Sequence, residues 1–116
     1  MRSAPRLRAS AFLALFALTL VAACSAHPSV QEVVDRSTPP ICEKTKECAA
    51  AAFTVAYPGG VDECVSKTKA AATKKYGNDL SKSSVCTDDE LDKCLSDFKA
   101  AACPPGAALP AIPCNC

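Results

Sequence analysis

The chain of 116 residues has few of the side chains that usually build a core or a reactive site. It contains no Trp, one Met and one His, and aromatic residues make up 5% of it. Catalysis by a Ser-His-Asp or Cys-His arrangement needs a positioned histidine. The single histidine, His27, lies beside Pro28 in a polar stretch with the features of a linker. The sequence therefore predicts a protein that is not an enzyme.

No apolar run is long enough to cross a membrane. The longest, residues 11–23, has 13 residues, whereas a spanning helix needs about 20. Three arginines precede it, and Leu20-Val21-Ala22-Ala23-Cys24 ends it. A basic head, a short apolar middle and small residues before a cleavage site are the layout of an export signal. An uncleaved anchor, or a secretory signal cut nearby with Cys24 incidental, remains an alternative.

The end of this signal resembles the lipobox of bacterial lipoproteins. The resemblance implies cleavage before Cys24 and attachment of acyl chains such as palmitate to the amino group and sulfur of that residue. Cleavage would leave 93 residues and remove Arg2, Arg6 and Arg8, which changes the net charge from +1 to −2. A slightly acidic protein has no electrostatic attraction for nucleic acid, so no nucleic-acid partner is predicted.

Large apolar side chains are scarce beyond the signal, where alanine dominates, so the core is expected to be thin. Eight cysteines remain once Cys24 is assigned to lipid, and an even number suits pairing in an oxidising compartment. We expect four disulfides, each worth about 2–4 kcal/mol, although their connectivity is not readable from the sequence. The cysteines are Cys42, Cys48, Cys64, Cys86, Cys94, Cys103, Cys114 and Cys116.

The cysteine spacing does not favour metal or redox chemistry. Paired cysteines in structural zinc sites are typically separated by roughly two to four residues, and no gap here has that length. No metal or other cofactor is predicted. Cys114 and Cys116 leave open a thiol–disulfide exchange role. Redox pairs usually lie at a helix N-terminus, which lowers the thiol pKa, whereas this pair follows prolines. A structural role is favoured.

Three helices are expected after residue 40. The first begins near Pro39 or Pro40, because proline suits the first turn, with Thr38 as a possible N-cap. It ends at residues 57–60, Tyr-Pro-Gly-Gly. The second runs from about Val61 to Tyr76 and is followed by Gly77, a residue favoured just past a helix end.

The third helix begins after Thr87, which forms the capping-box pattern with Glu90. Residues 61–72 and 91–102 have similar sequences, and duplication and shared composition both stay open as the cause. In either case Cys64 and Cys94 occupy equivalent positions on apolar stripes, so both should be buried and bridged. Residues 104–116 contain four prolines and are expected to form an irregular strap fixed by its two cysteines.

Two further expectations concern the surface. Residues 25–40 are interpreted as a mostly flexible tether, although residues 30–34 alternatively form a helical turn or dock on the body. Four lysines make the second helix basic, and they either form a solvated face or contact anionic headgroups or an acidic partner. These lysines are Lys67, Lys69, Lys74 and Lys75.

Together these features predict a lipoprotein signal peptide (1–23), a lipidated cysteine and tether (24–40) and a disulfide-rich helical domain (41–116). The fold class is all-α: a small disulfide-stapled three-helix bundle with a Pro-rich C-terminal strap. The layout resembles small Cys-rich envelope lipoproteins of uncharacterised function in Gram-negative bacteria, myxobacteria among them. Ser25, following the lipidated cysteine, implies the outer membrane.

The function expected from the sequence is that of a non-enzymatic envelope protein that is structural or binds an envelope partner. It contacts the membrane through lipid on Cys24. Two alternatives remain: a carrier of a small ligand or lipid in a pocket between helices, and a redox protein that uses the terminal cysteine pair.

Overall fold

The computed structural model describes residues 26–112 and 114–116, so the expected signal peptide and Cys24 lie outside the described residues. Within them the protein is all-α, without strands, as predicted. The described residues form four α-helices rather than three, and a short 3₁₀ helix. The elements are α1 (Val30–Cys48), α2 (Ala50–Ala56), α3 (Val61–Tyr76), the 3₁₀ helix (Gly77–Ser81) and α4 (Asp88–Ala100).

The predicted start of the first helix is wrong, since α1 begins at Val30 rather than near Pro39. Ser29 is its N-cap: the Ser29 hydroxyl accepts from the backbone N–H of Glu32, and the Glu32 carboxylate accepts from the N–H of Ser29. This reciprocal capping satisfies two N–H groups that the first turn leaves unpaired. The residues expected to form a flexible tether therefore belong to a helix from Val30 onward.

Pro39 and Pro40 lie inside α1 instead of opening it. Each lacks a backbone N–H, so the carbonyls one turn earlier lose their usual helical donors. Thr38, expected as an N-cap, is buried here, and its hydroxyl donates to the carbonyl of Val34 at 2.6 Å. Tertiary packing of α1 thus outweighs the local cost of two prolines.

The first helix is also interrupted where one continuous helix was expected. Ala49 has φ −139° and ψ 49°, which breaks the helical path between α1 and α2. Its N–H still donates to the carbonyl of Thr45 at 2.9 Å. The short α2 can then turn Phe53, which is 3% exposed, into the core.

The second and third predicted helices are confirmed as α3 and α4. The helix α3 spans Val61–Tyr76 and ends at Gly77, whose φ of +49° is a conformation that favours glycine. Thr87 caps α4, with its hydroxyl accepting from the N–H of Glu90 and its own N–H donating to the Glu90 carboxylate. Local sequence signals determine both helices.

The central element of the bundle is α1, against which the other helices pack. It runs antiparallel to α3, since Cys42 is bonded to Cys64 and Asp35 pairs with Lys69. It runs parallel to α4, because Arg36 pairs with Asp88 near the start of both helices. In the described part of the chain, α3 and α4 do not contact each other.

The core is thin and rich in sulfur, as predicted. Half of its eight buried apolar side chains are cysteines: the set is Cys42, Phe53, Cys64, Cys86, Leu91, Cys94, Leu95 and Phe98. Cys42, Phe53 and Cys64 form one cluster, and Cys86, Leu91 and Leu95 form a second. Disulfides therefore occupy positions that large aliphatic side chains fill in most small domains.

Four disulfides bind these elements together, which confirms the predicted number and supplies the connectivity. The pairs are Cys42–Cys64, Cys48–Cys103, Cys86–Cys116 and Cys94–Cys114. Cys64 and Cys94 are both buried and bridged, as their equivalent positions predicted. Cys114 and Cys116 fix the C-terminal strap, residues 104–116, to the loop before α4 and to α4 itself.

Among the residues that the structure covers, no helix combines the length and the apolar character needed to cross a bilayer.

Candidate functional site

The first described residues are held against the loop that precedes α4. The carbonyl of Ala26 accepts from the N–H of Asp88 at 3.0 Å, and that of Pro28 accepts from Ser84 at 2.8 Å. His27, expected in a free linker, places its Nδ1 3.2 Å from the carbonyl of Ser84. The chain is thus fixed to the folded body two residues after Cys24, which corrects the expectation of a long leash.

The loop that receives this segment is itself well anchored. The hydroxyl of Ser84, 7% exposed, donates to the carbonyl of Cys86 at 3.1 Å. The N–H of Val30 donates to the carbonyl of Lys82 at 2.9 Å. The Cys86–Cys116 disulfide bonds the loop to the C-terminal strap. We call this region, residues 26–30 with 74–88 and Cys116, the anchor-side end of the bundle.

A cleft of about 410 Å³ opens beside this end. Two disulfides, Cys86–Cys116 and Cys94–Cys114, form one wall with the exposed side chain of Val85. Glu90, Lys93 and Asp97 of α4 also line the cleft, and Lys93 and Asp97 pair at 2.6 Å. The cleft therefore combines charged side chains with disulfide sulfur and one exposed apolar side chain.

A second groove of about 260 Å³ has a different lining. Val30, Val33 and Val34 of α1 face Tyr76 across it, and Ser37 closes one side. Cys116 lines both this groove and the larger cleft. The two depressions therefore adjoin at the anchor-side end.

The four lysines expected to form one basic face have different environments. Lys67 pairs with Glu63 at 2.5 Å, and Lys69 pairs with Asp35 at 3.0 Å, so both charges are compensated. Lys74 and Lys75 form no ion pair with any acidic residue in the described segments. The Nζ of Lys75 lies 5.2 Å from the ring centre of Tyr76, a cation–π distance.

Hydrogen bonds lower the pKa of three carboxylates in the described residues. The Lys69 ammonium, with help from Gln31, lowers the pKa of Asp35 below its usual value. The Lys67 ammonium and then the N–H of Gly59 lower the pKa of Glu63. The N–H of Thr87 lowers the pKa of Glu90 by stabilising its charged form in the capping box. These shifts follow from structural contacts rather than from a reactive centre.

The terminal cysteines are bonded to α4 and its preceding loop and not to each other. A redox pair of the kind considered above would cycle through a bond between Cys114 and Cys116. Their arrangement instead supports the strap role. In the portion of the chain that the structure covers, no group of three His, Cys, Asp or Glu side chains is placed to hold a metal ion.

The sequence did not identify two surface residues at the anchor-side end. Val85 is 76% exposed and Tyr76 is 39% exposed. The available signal was an apolar residue between Ser84 and Cys86 in an otherwise polar loop.

No protein-family model, curated protein or solved structure matches this chain.

Proposed function

We propose that the protein is a lipid-anchored, non-enzymatic module of the bacterial cell envelope, attached through Cys24 and serving a structural or partner-binding role. One observation carries the proposal. Each of the other eight cysteines is bonded to another of the eight. No other cysteine of the chain therefore remains to form a disulfide with Cys24. Cys24 follows the export signal and fits the lipobox pattern.

The disulfide content supports an exported protein. Disulfides persist in oxidising compartments and are rare in the cytosol. Here they occupy half of the buried apolar positions, so the fold depends on a compartment that maintains them. Ser25 after the lipidated cysteine makes the outer membrane the proposed destination.

The test is the intact mass of the full chain expressed in a Gram-negative bacterium, measured with and without reduction. Wild-type protein should lose the signal peptide, gain acyl chains and fractionate with membranes, while C24S should keep the signal peptide and stay unacylated. The four bridges should be present in both. Wild-type protein that is exported without acyl chains would contradict the proposal.

A second candidate function, a carrier of a small apolar ligand, is favoured by the groove between α1 and Tyr76. Its volume of about 260 Å³ approaches the size range of small-molecule sites. Titration with an anilinonaphthalene sulfonate dye tests it. A carrier should bind the dye in the groove, and V34K should abolish binding while V55K, on exposed α2, should not. Equal binding by both variants would exclude the groove.

A further inference from the structure

We propose that the anchor-side end is the face that rests on the lipid bilayer, with Val85 and Tyr76 inserted at the interface and Lys74 and Lys75 against anionic headgroups. This orientation rests on the proposed acylation of Cys24. It goes further, because a lipid anchor alone leaves the orientation of the body undetermined.

The length of chain between the anchor and the body restricts the geometry. The Ala26 carbonyl accepts from the Asp88 N–H at 3.0 Å, so Ala26 is fixed to the start of α4. Cys24 precedes it by two residues, which span at most about 7 Å when fully extended. Acyl chains on Cys24 must therefore enter the bilayer close to the loop that carries Val85.

The side chains at this end suit a membrane interface. Val85 is 76% exposed and Tyr76 is 39% exposed. Val85 borders the larger cleft, Tyr76 borders the groove, and Cys116 borders both. Tyrosine combines an apolar ring with a polar tip and is favoured where one end is apolar and the other hydrated.

Two lysines at this end suit contact with an anionic surface. Lys74 and Lys75 form the last turn of α3 beside Tyr76, and basic residues next to a bilayer attract acidic lipids. Of the nearby acids, Asp88 pairs with Arg36 and Asp79 pairs with Lys82, whereas the Glu90 carboxylate accepts from Thr87 and keeps its negative charge. Glu32 and Asp89 are further exposed carboxylates at this end, so the attraction is assigned to the last turn of α3 alone.

The opposite end provides a matched control. The 19 residues of α1 extend about 27 Å at 1.5 Å per residue, and α2 follows at the far end. Val55 on α2 is 85% exposed, so it offers at least as much apolar surface as Val85. If exposure alone determined membrane contact, Val55 would insert equally well.

The experiment uses single-tryptophan reporters, because the chain contains no Trp. Acylated V85W and V55W are reconstituted into vesicles of phosphatidylethanolamine and phosphatidylglycerol with brominated acyl chains. The V85W emission should shift to the blue and be quenched several-fold more than that of V55W. Intact mass confirms acylation and four bridges in each sample before the fluorescence is measured.

Quenching of V85W no greater than that of V55W, in protein shown to be acylated, would overturn this orientation and leave the lipid anchor standing. Absence of acyl chains would overturn both proposals.

A second comparison does not depend on V85W alone. K74Q/K75Q should weaken binding of the acylated protein to phosphatidylglycerol vesicles relative to phosphatidylcholine vesicles, whereas K46Q/K99Q, at the far end, should not. Equal effects of the two double variants would contradict the role of Lys74 and Lys75.

Discussion

The ammonium group of Lys44 on α1 donates a hydrogen bond to the carbonyl of Ala101, 3.0 Å away, at the carboxyl end of α4. Lys44 is 5% exposed, and its Nζ also lies 2.8 Å from a carboxylate oxygen of Glu47. A cation at the last carbonyls of a helix satisfies an unpaired acceptor and interacts favourably with the helix dipole. This contact joins the far ends of two parallel helices.

Replacing Lys44 with alanine should therefore destabilise the bundle. The change removes the buried aliphatic stem and leaves the Ala101 carbonyl without its donor, at a cost of about 1–3 kcal/mol. Lys46 lies two residues away on the same helix and is exposed, so K46A should change stability by less than about 0.5 kcal/mol. Urea unfolding of the oxidised proteins measures both, and similar losses would contradict the assigned role of Lys44.

The start of α1 at Val30 is testable through its N-cap. S29A removes the hydroxyl that accepts from the Glu32 N–H, and loss of such a cap costs about 1 kcal/mol. S66A is the control, because Ser66 is exposed within α3 and alanine has the higher helix propensity there. Thermal unfolding should show a lower Tm for S29A alone. An unchanged Tm for S29A would mean that the segment before Pro39 contributes little to the fold.

Removing one disulfide from the core should have a large effect. Cys42 and Cys64 are 0% and 4% exposed and pack with Phe53, so C42A/C64A loses a crosslink and core volume together. Loss of a native disulfide from a small exported domain typically costs about 2–5 kcal/mol. Circular dichroism during denaturant unfolding measures the loss. A fully reduced chain that still unfolded cooperatively, at the stability of the oxidised one, would show that the crosslinks are dispensable.

Acid should weaken the fold through carboxylates whose pKa values are lowered by their partners. Hydrogen bonds from Lys69 and Gln31 lower the pKa of Asp35. A lowered pKa in the folded state means that folding stabilises the ionised carboxylate. The resulting contribution to the free energy of unfolding is fully present above the unfolded-state pKa of about 4. It is lost as the pH falls through the lower folded-state value.

The expected result is a D35N variant with a weaker dependence of stability on pH between neutrality and acid than wild type. The Asp35–Lys69 pair is exposed, so the free energies of unfolding of D35N and wild type at neutral pH should differ by less than about 1 kcal/mol. E43Q is the control, because Glu43 is exposed on the same helix and forms no ion pair with a described residue. Denaturant midpoints across the pH range measure this, and parallel curves for D35N and wild type would refute it.

The parts of the fold that the sequence predicted depend on local signals. Thr87 and Glu90 cap α4, and Gly77 ends α3, because each acts through neighbours a few residues away. The start of α1 was missed although Ser29 and Glu32 carry the same capping pattern. Pro39 and Pro40 predicted a helix start, but the packing of α1 against its neighbours outweighs the cost of both prolines within the helix.

The candidate surface was predictable only in part. The sequence marked Lys74 and Lys75 as basic, but it did not separate them from Lys67 and Lys69, whose acidic partners include Asp35 on a different helix. The position of Val85 beside the amino-terminal segment depends on hydrogen bonds between residues about 60 apart. These long-range contacts, like the pairing of the eight cysteines, form only in the folded protein, so local sequence patterns do not predict them.

The order of the disulfides along the chain bears on its resistance to proteolysis. The bridges overlap, so any single cut of the backbone between Cys42 and Cys116 leaves both fragments joined by at least one sulfur–sulfur bond. A protease that nicks an exposed loop would therefore release no fragment from that region. At least two cleavages are needed before any piece of this region can diffuse away.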